Sequence, residues 1–460
     1  MSMSASVSAF TTVGPQVNCG FRTTLNNPIQ AALNAGHTEL RLVGGATYTG
    51  SVVVNGSADV TLRGGFTDCT QAANNVLPSN PQASARGVRP LDAAMALAPA
   101  QNRRRVITLQ SIELRPNLEQ TPTGMGLWIA GLMDVRLERS RISGFNHAGN
   151  NGGGVLMFDG QLFLVSSEIS NNRAQKGGGI YCSGGQVRLD PASRLLLNRA
   201  ETIDSDGEGG GAYLQQCTFV SQGRVLPSTL GGTSGIIGNQ AGAAGGGLYV
   251  IGGLTEIQGG PFCSDLTAPV CLPRLAIVGA NSARIGGGVY ASDGAELTFD
   301  FANLSANTAT IEGGGMFLDQ STMRFGGLGS LYPNYDRNHC TESICEVMSG
   351  NRVRAANVDA GTGGAIRSVN SSITLADVLL DDNTSAVSDV FDMQFGSGLF
   401  QQVLVRNPDR PAPNPGLMAE FRPATVTIRR STFVAEFPAN RVSGEPTLLA
   451  DPTRKRCSRS

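Results

Sequence analysis

The chain has 460 residues, a net charge of −1, 60 glycines, and only 15% charged and 6% aromatic residues. With 40% hydrophobic residues in short, spaced runs this is not a disordered composition, and the near-zero charge excludes a global field that would draw in nucleic acid or an anionic membrane. No run approaches the roughly 20 apolar residues of a spanning helix.

In chain order, residues 1–18 read as a leader remnant or disordered tail: Ser/Ala-rich, with Val7-Ser8-Ala9 like the end of a signal peptide but no basic or apolar stretch before it. Residues 19–105 read as an N-terminal cap and first coils with a long loop. A short helix is expected from Asn26 or Asn27 as N-cap, through Pro28 in the first turn, to a stop at Gly36, with Ile29, Ala32 and Leu33 on one face. Strands follow at Glu39–Val43, Ser51–Val54 and Val60–Arg63. Residues 70–105 are poor in strand signals and read as a loop with a helix through Leu91–Leu97; coils resume at Val106–Leu109.

Residues 106–435 carry a repeat. Glycine triplets followed by an apolar residue begin at Gly152, Gly177, Gly209, Gly245, Gly286 and Gly313, with a shortened copy at Gly363-Gly364-Ala365-Ile366. An aromatic often follows: Tyr181, Tyr213, Tyr249, Tyr290 and Phe317. An apolar-x-x-Asn motif alternates with the glycines and ends at Asn172, Asn198, Asn239, Asn281, Asn307, Asn351 and Asn383. The shortest steps give a unit of about 25 residues, and the surplus in longer steps sits in insertions, as repeat architectures allow. Runs such as Ala295–Phe299 and Ser372–Ala376 alternate with period two, so the units hold short strands. Stacked as parallel coils about 4.8 Å apart, about fifteen of them make a rod of the order of 70 Å. Consecutive glycines suit a sharp corner. Asparagine tolerates the left-handed region, and its amides, once per coil, are expected to stack into a ladder. Asn407–Pro415 reads as a Pro-rich loop and 436–460 as a C-terminal tail. The fold class is therefore all-β: a right-handed parallel β-helix (solenoid) with a short N-terminal capping helix and inserted loops.

Of nine cysteines, Cys263 and Cys271 bracket one loop, Cys340 and Cys345 another, and Cys19 and Cys69 flank the first strand-rich unit. That spacing reads as staples formed in an oxidising compartment, with Cys457 the odd one out.

The pairing of Gly-Gly-apolar with apolar-x-x-Asn resembles the repeat of polymorphic outer-membrane proteins. More broadly, the chain is similar to bacterial right-handed parallel β-helix proteins of the pectin-lyase-like superfamily. The opening, from Ile29-Gln30-Ala31-Ala32 through Ala46-Thr47-Tyr48 to Leu62-Arg63-Gly64-Gly65-Phe66, resembles that superfamily's first coils. The resemblance covers roughly residues 19–435 and is specific for architecture, since this fold hosts adhesins, lyases, hydrolases and tailspikes. Nothing after Arg430 has room for the membrane β-barrel of the autotransporter relatives, which implies a passenger-like protein that is released or held by another partner.

Catalytic motifs are sparse. Asp381-Asp382 matches the Asp-Asp of polygalacturonase-like members, but it fills the x-x of a repeat, and their Asn-Thr-Asp and Gly-His-Gly are missing. His37, His147 and His339 have no flanking pattern for metal or nucleophilic catalysis. No catalytic or cofactor-binding residue is assigned. The one metal candidate is the acidic loop with Asp204, Asp206 and Glu208, whose oxygen ligands at alternate positions suit calcium. The sequence thus points first to a secreted or outer-cell-surface protein, non-enzymatic and monomeric, offering an extended face to polysaccharide or other extracellular ligands. The alternative is a polysaccharide lyase or glycosidase, with acids and an Arg or Lys converging on one face between the loops at 200–208, 259–273 and 328–346.

Overall fold

In the computed structural model the alternating runs become short strands, almost all paired in parallel. The structure describes residues 10–443 apart from 55–57, 77–87, 92–94, 98–103, 117–123, 202–205, 226–234, 263–271, 327–345, 355–360, 386–387, 408–416, 430 and 436–441. The chain divides into two compact units, Met1–Gln222 with Thr233–Tyr249, and Gly223–Gly232 with Val250–Ser460.

In the first unit each turn of chain contributes one strand to each of three sheets, and later turns add a fourth. The first sheet runs from Phe21–Arg22 through Phe10–Gly14, Glu39–Val43, Val60–Phe66 and Arg105–Gln110 to Met133–Glu138, Gln161–Val165, Gln186–Leu189 and Thr218–Gln222. The second holds Arg141–Ser143, Glu168–Ser170 and Arg194–Leu196, the third Leu127–Ala130, Val155–Phe158, Ile180–Ser183 and Ala212–Gln215. The fourth holds Asn146–Asn151, Arg173–Lys176, Arg199–Ala200 and Gln240–Ala241. The second unit repeats the plan, its first sheet running from Leu254–Gln258 to Thr425–Arg429 and its third from Val289–Ser292 to Val442–Ser443. This is the parallel β-helix that the repeat predicts.

Period-two alternation decides the inside. In Gln161–Val165, Leu162 and Leu164 are buried, while in Met133–Glu138 it is Met133, Val135 and Leu137. Each such side chain contributes about 1.5–3 kcal/mol on burial.

The asparagines form the expected ladder. In the first unit, Asn172 Nδ2 donates to Asn198 Oδ1 and Asn198 Nδ2 to Asn239 Oδ1, both at 3.1 Å. In the second, Asn281, Asn307, Asn351 and Asn383 do the same at 2.9–3.0 Å. Each rung's oxygen also accepts the backbone N–H of the rung before it, and the spare amide hydrogen goes to a backbone carbonyl, as from Asn198 to Ile169. All amide valences of Asn198 are therefore used in a fully buried place. One expectation is corrected: the left-handed residue is the one before each asparagine. Asn171, Leu197, Gly238, Ala280, Ala306, Gly350 and Asp382 have φ between 47° and 65°, which frees the asparagine to point inward. The glycines clear the space, since a Cβ on Gly179 would lie 2.9 Å from Asn198 Nδ2.

At the N-terminal end the helix Pro28–Asn34 forms as expected, with the Asn27 side chain accepting from the Gln30 N–H. Three expectations are corrected. Phe10–Gly14 already pairs with Glu39–Val43, so the tail read over 1–18 ends before Phe10. Instead of a helix through Leu91–Leu97, Val88–Leu91 and Met95–Leu97 are strands, because each must extend a sheet begun by Ala46–Tyr48 and Val52–Val54. A second helix, Cys69–Ala73, starts where a loop is expected, capped by Asp68.

Asn198→Ala would leave the amide of Asn172 without its acceptor and Asn239 Oδ1 without one donor. The expected cost is about 3 kcal/mol, read as a lower urea midpoint; an unchanged midpoint would refute the ladder's energetic role.

Candidate functional site

The glycine triplet turns the chain sharply from the fourth sheet into the third. A Cβ on Gly177 would lie 2.2 Å from the Ile180 carbonyl oxygen, so this corner needs glycine, and the flanking positions come just before the triplet and two residues after it. Lys176 and Tyr181, Glu208 and Tyr213, and Glu312 and Phe317 hold these positions in successive units of the sequence. Parallel register then stacks equals on equals. On the outer face of the third sheet, Trp128, Leu156, Tyr181 and Tyr213 align in one column. Tyr181 and Tyr213 stack at 5.1 Å between ring centroids, Tyr213 and Tyr249 at 5.0 Å, each pair with an interplanar angle of 6°. Phe158 tilts over Tyr181 at 6.0 Å. Tyr290 and Phe317 stack in the second unit at 5.3 Å.

Stacking hides the tyrosine faces, so Tyr181 and Tyr213 are only 8% and 4% exposed. On this face of the first unit Trp128 and Phe158 stay open to solvent, each 38% exposed. Trp128 and Phe158 are diagonal neighbours on adjacent strands, a separation of about 7–8 Å at the backbone.

Polar groups border the column. Lys176 Nζ lies 2.9 Å from Glu208 Oε2 and 4.9 Å from the Tyr213 ring centroid. Burial alone would lower the Lys176 pKa, but its bond to Glu208 outweighs this and holds it above the ordinary lysine value. Burial also raises the Tyr213 phenol. Both groups therefore stay protonated at neutral pH.

Glu208 is half-buried and committed to Lys176, Asp206 is exposed, and Asp204 lies outside the described residues. Among the described residues no group of three or more His, Cys, Asp or Glu is arranged to hold a metal ion. The His147 ring bonds to the Asn151 carbonyl through Nδ1, and the His37 ring packs edge-on against Phe21. His339 lies outside the described residues. Asp382 is a left-handed turn residue 3.3 Å from Arg352.

In the second unit the column changes character. Arg367 follows Phe317 in register, then Asp392 and Glu420. Arg367 reaches Asp392 at 2.6 Å, Glu312 at 3.2 Å and Gln394 at 2.9 Å, and Arg422 bridges Asp392 and Glu420. The sequence does carry a signal for this network: the shortened triplet at Gly363 is followed by Arg367 where other units place an aromatic.

Among the described residues two disulfides are formed, Cys19–Cys69 and Cys182–Cys217. The first joins the cysteines that flank the opening strands. The second joins Cys182 on the third-sheet strand Ile180–Ser183 to Cys217, in the turn between Ala212–Gln215 and Thr218–Gln222 one coil on, which local spacing could not suggest. The bracketing pairs at 263/271 and 340/345, and Cys457, lie outside the described residues. Among the described residues no helix is long and apolar enough to cross a membrane. No family model, curated protein or solved structure matches the chain.

Asp392 is fully buried and Arg367 is 7% exposed. Asp392→Ala strands the guanidinium and is expected to destabilise by about 3 kcal/mol. Denaturant unfolding measures this; a loss under 1 kcal/mol would show that Glu312 and Gln394 suffice to hold Arg367.

Proposed function

We propose that this is a secreted or outer-surface β-helix protein that acts as a monomer and binds glycan on the outer face of the third sheet without cleaving it. The observation behind this reading is the solvent-open pair Trp128 and Phe158. The two rings lie on adjacent strands of one outward face, and exposed apolar surface of this kind marks interaction sites. Flat aromatic faces suit the apolar faces of sugar rings, and the polar groups bordering the column suit the hydroxyls. Two disulfides support an oxidising, extracellular setting.

The second reading, a lyase or glycosidase, draws on the convergence of Arg367, Asp392, Glu312 and Glu420 on one face. Each carboxylate there is already in an ion pair, and Asp392 has no solvent access. A general acid or base must reach the proton it moves, so the network favours a structural role.

Trp128 is the only tryptophan, so the protein's indole emission reports on this site alone. Titration with a panel of neutral and acidic polysaccharides is expected to shift that emission for at least one of them. Phe158→Ala should weaken binding about tenfold. Retention on no glycan would defeat the proposal, and release of reducing or unsaturated ends would establish the enzymatic alternative.

A further inference from the structure

The corner between the first and second sheets is closed by side chains that accept a buried backbone N–H from the coil before. Among the described residues serine does this at four corners. Ile112 N–H donates to Ser140 Oγ at 3.0 Å, Ser140 N–H to Ser167 Oγ at 2.9 Å, Ser167 N–H to Ser193 Oγ at 3.1 Å and, in the second unit, Val403 N–H to Ser431 Oγ at 3.1 Å. In one coil of the second unit the acceptor is an acid instead. There Glu346 stands at the corner, and its Oε1 accepts the Phe301 N–H at 2.7 Å.

A hydroxyl would satisfy the same donor with no charge to bury. The Glu346 side chain is instead fully buried and fits closely: a Cβ on Gly326 would lie 2.5 Å from its Oε2. The groups facing it come from every neighbouring coil. Asp300 closes the strand Glu296–Asp300, and Asp377 occupies the turn after Ser372–Ala376; they are 8% and 5% exposed. Among the described residues the cation facing Glu346 is Arg324 on Thr322–Gly326, which is held by Asp300 at 2.8 and 2.9 Å. Among the described residues three carboxyl groups thus gather at one buried corner, and Asp300 grips the Arg324 guanidinium through both its oxygens.

We propose that this corner is a pH-sensitive latch, closed by the neutral Glu346 carboxylic acid and loosened when that acid ionises. Burial, reinforced by Asp300 and Asp377 against the Phe301 hydrogen bond and Arg324, pushes the Glu346 pKa up to about 8. In an opened or unfolded corner the same acid returns to the ordinary glutamate value of about 4.3. The closed state therefore binds the extra proton between these two values. Its advantage is complete below the lower value, declines as pH rises, and is gone above about 8. Acidification tightens the coil; neutral and mildly alkaline conditions loosen it. The strands that respond are those on either side of Glu346 in register, Ala302–Ser305 and Val347–Ser349 with Leu379–Asp381.

Amide hydrogen exchange between about pH 5 and pH 9, corrected for the intrinsic rate, tests this on the full chain. Protection of Val347–Ser349 in the wild type is expected to fall by up to about tenfold per pH unit and to level off near pH 8, because each unit removes one proton's worth of advantage. Gln161–Val165 in the first unit serves as the reference and should not change. Glu346→Gln keeps the acceptor and removes the titration, so its profile should be flat. Should that variant fail to fold, Glu346→Ser restores the hydroxyl of the other corners and makes the same prediction. Asp377→Asn should move the levelling-off to lower pH. A flat wild-type profile, or a slope that survives in Glu346→Gln or Glu346→Ser, would overturn the latch.

Discussion

The whole architecture rests on how one inward corner satisfies its backbone. A chain that turns between the second and fourth sheets leaves N–H groups facing the interior, where water cannot reach them. The asparagine ladder answers each of them with an amide from the next coil and spends the remaining valences on its neighbours. A buried polar array of this kind is favourable only when every member is paired. That condition explains the rest of the motif: the left-handed residue aims each asparagine inward, and the glycine triplet keeps side chains out of its path. The two sequence signatures, Asn and Gly-Gly-Gly, are halves of one device.

Strict register has a second effect, on the outside. Every outward position becomes a column, and the column magnifies whatever residue type the repeat supplies. Aromatics become a stack, as at Tyr181, Tyr213 and Tyr249. Charges must alternate or share partners. On the second sheet Glu168 lies between Arg141 and Arg194. Burial pushes its carboxyl up, but the Ser170 hydroxyl and the two arginines outweigh burial and hold it below the usual range. Inside, at the buried corner where Asp300, Glu346 and Asp377 gather, desolvation and like charge raise the cost of ionising Glu346 instead.

Legibility followed the same logic. Period-two alternation, the glycine triplets and the asparagines specify strands, corners and ladder locally, so the coils and the first helix could be read directly. The strands at Val88–Leu91 and Met95–Leu97 could not, because they are imposed by sheets on either side rather than by their own residues. The Cys182–Cys217 staple joins coils 35 residues apart and leaves no local trace. The aromatic positions were visible as letters, but exposure was not. Only the fold distinguishes Tyr213, sealed within its stack, from Trp128 and Phe158 at the open end. In the acidic loop the spacing of oxygens was legible, whereas the ion pair of Glu208 with Lys176 of the preceding coil was not.

The ladder also fixes how such a chain can change its length. A rung joins only to the rung one full turn away, so removing part of a turn would set an asparagine opposite a side chain that cannot answer it. Growth and shrinkage are therefore quantised in whole coils. Partial insertions can enter only where no rung is crossed, and the extra segments at 202–205, 263–271 and 327–345 all lie between rungs. A lineage of such proteins would differ in reach by discrete steps along one axis while the cross-section stayed constant, and new loops would accumulate on the flanks without disturbing the interior.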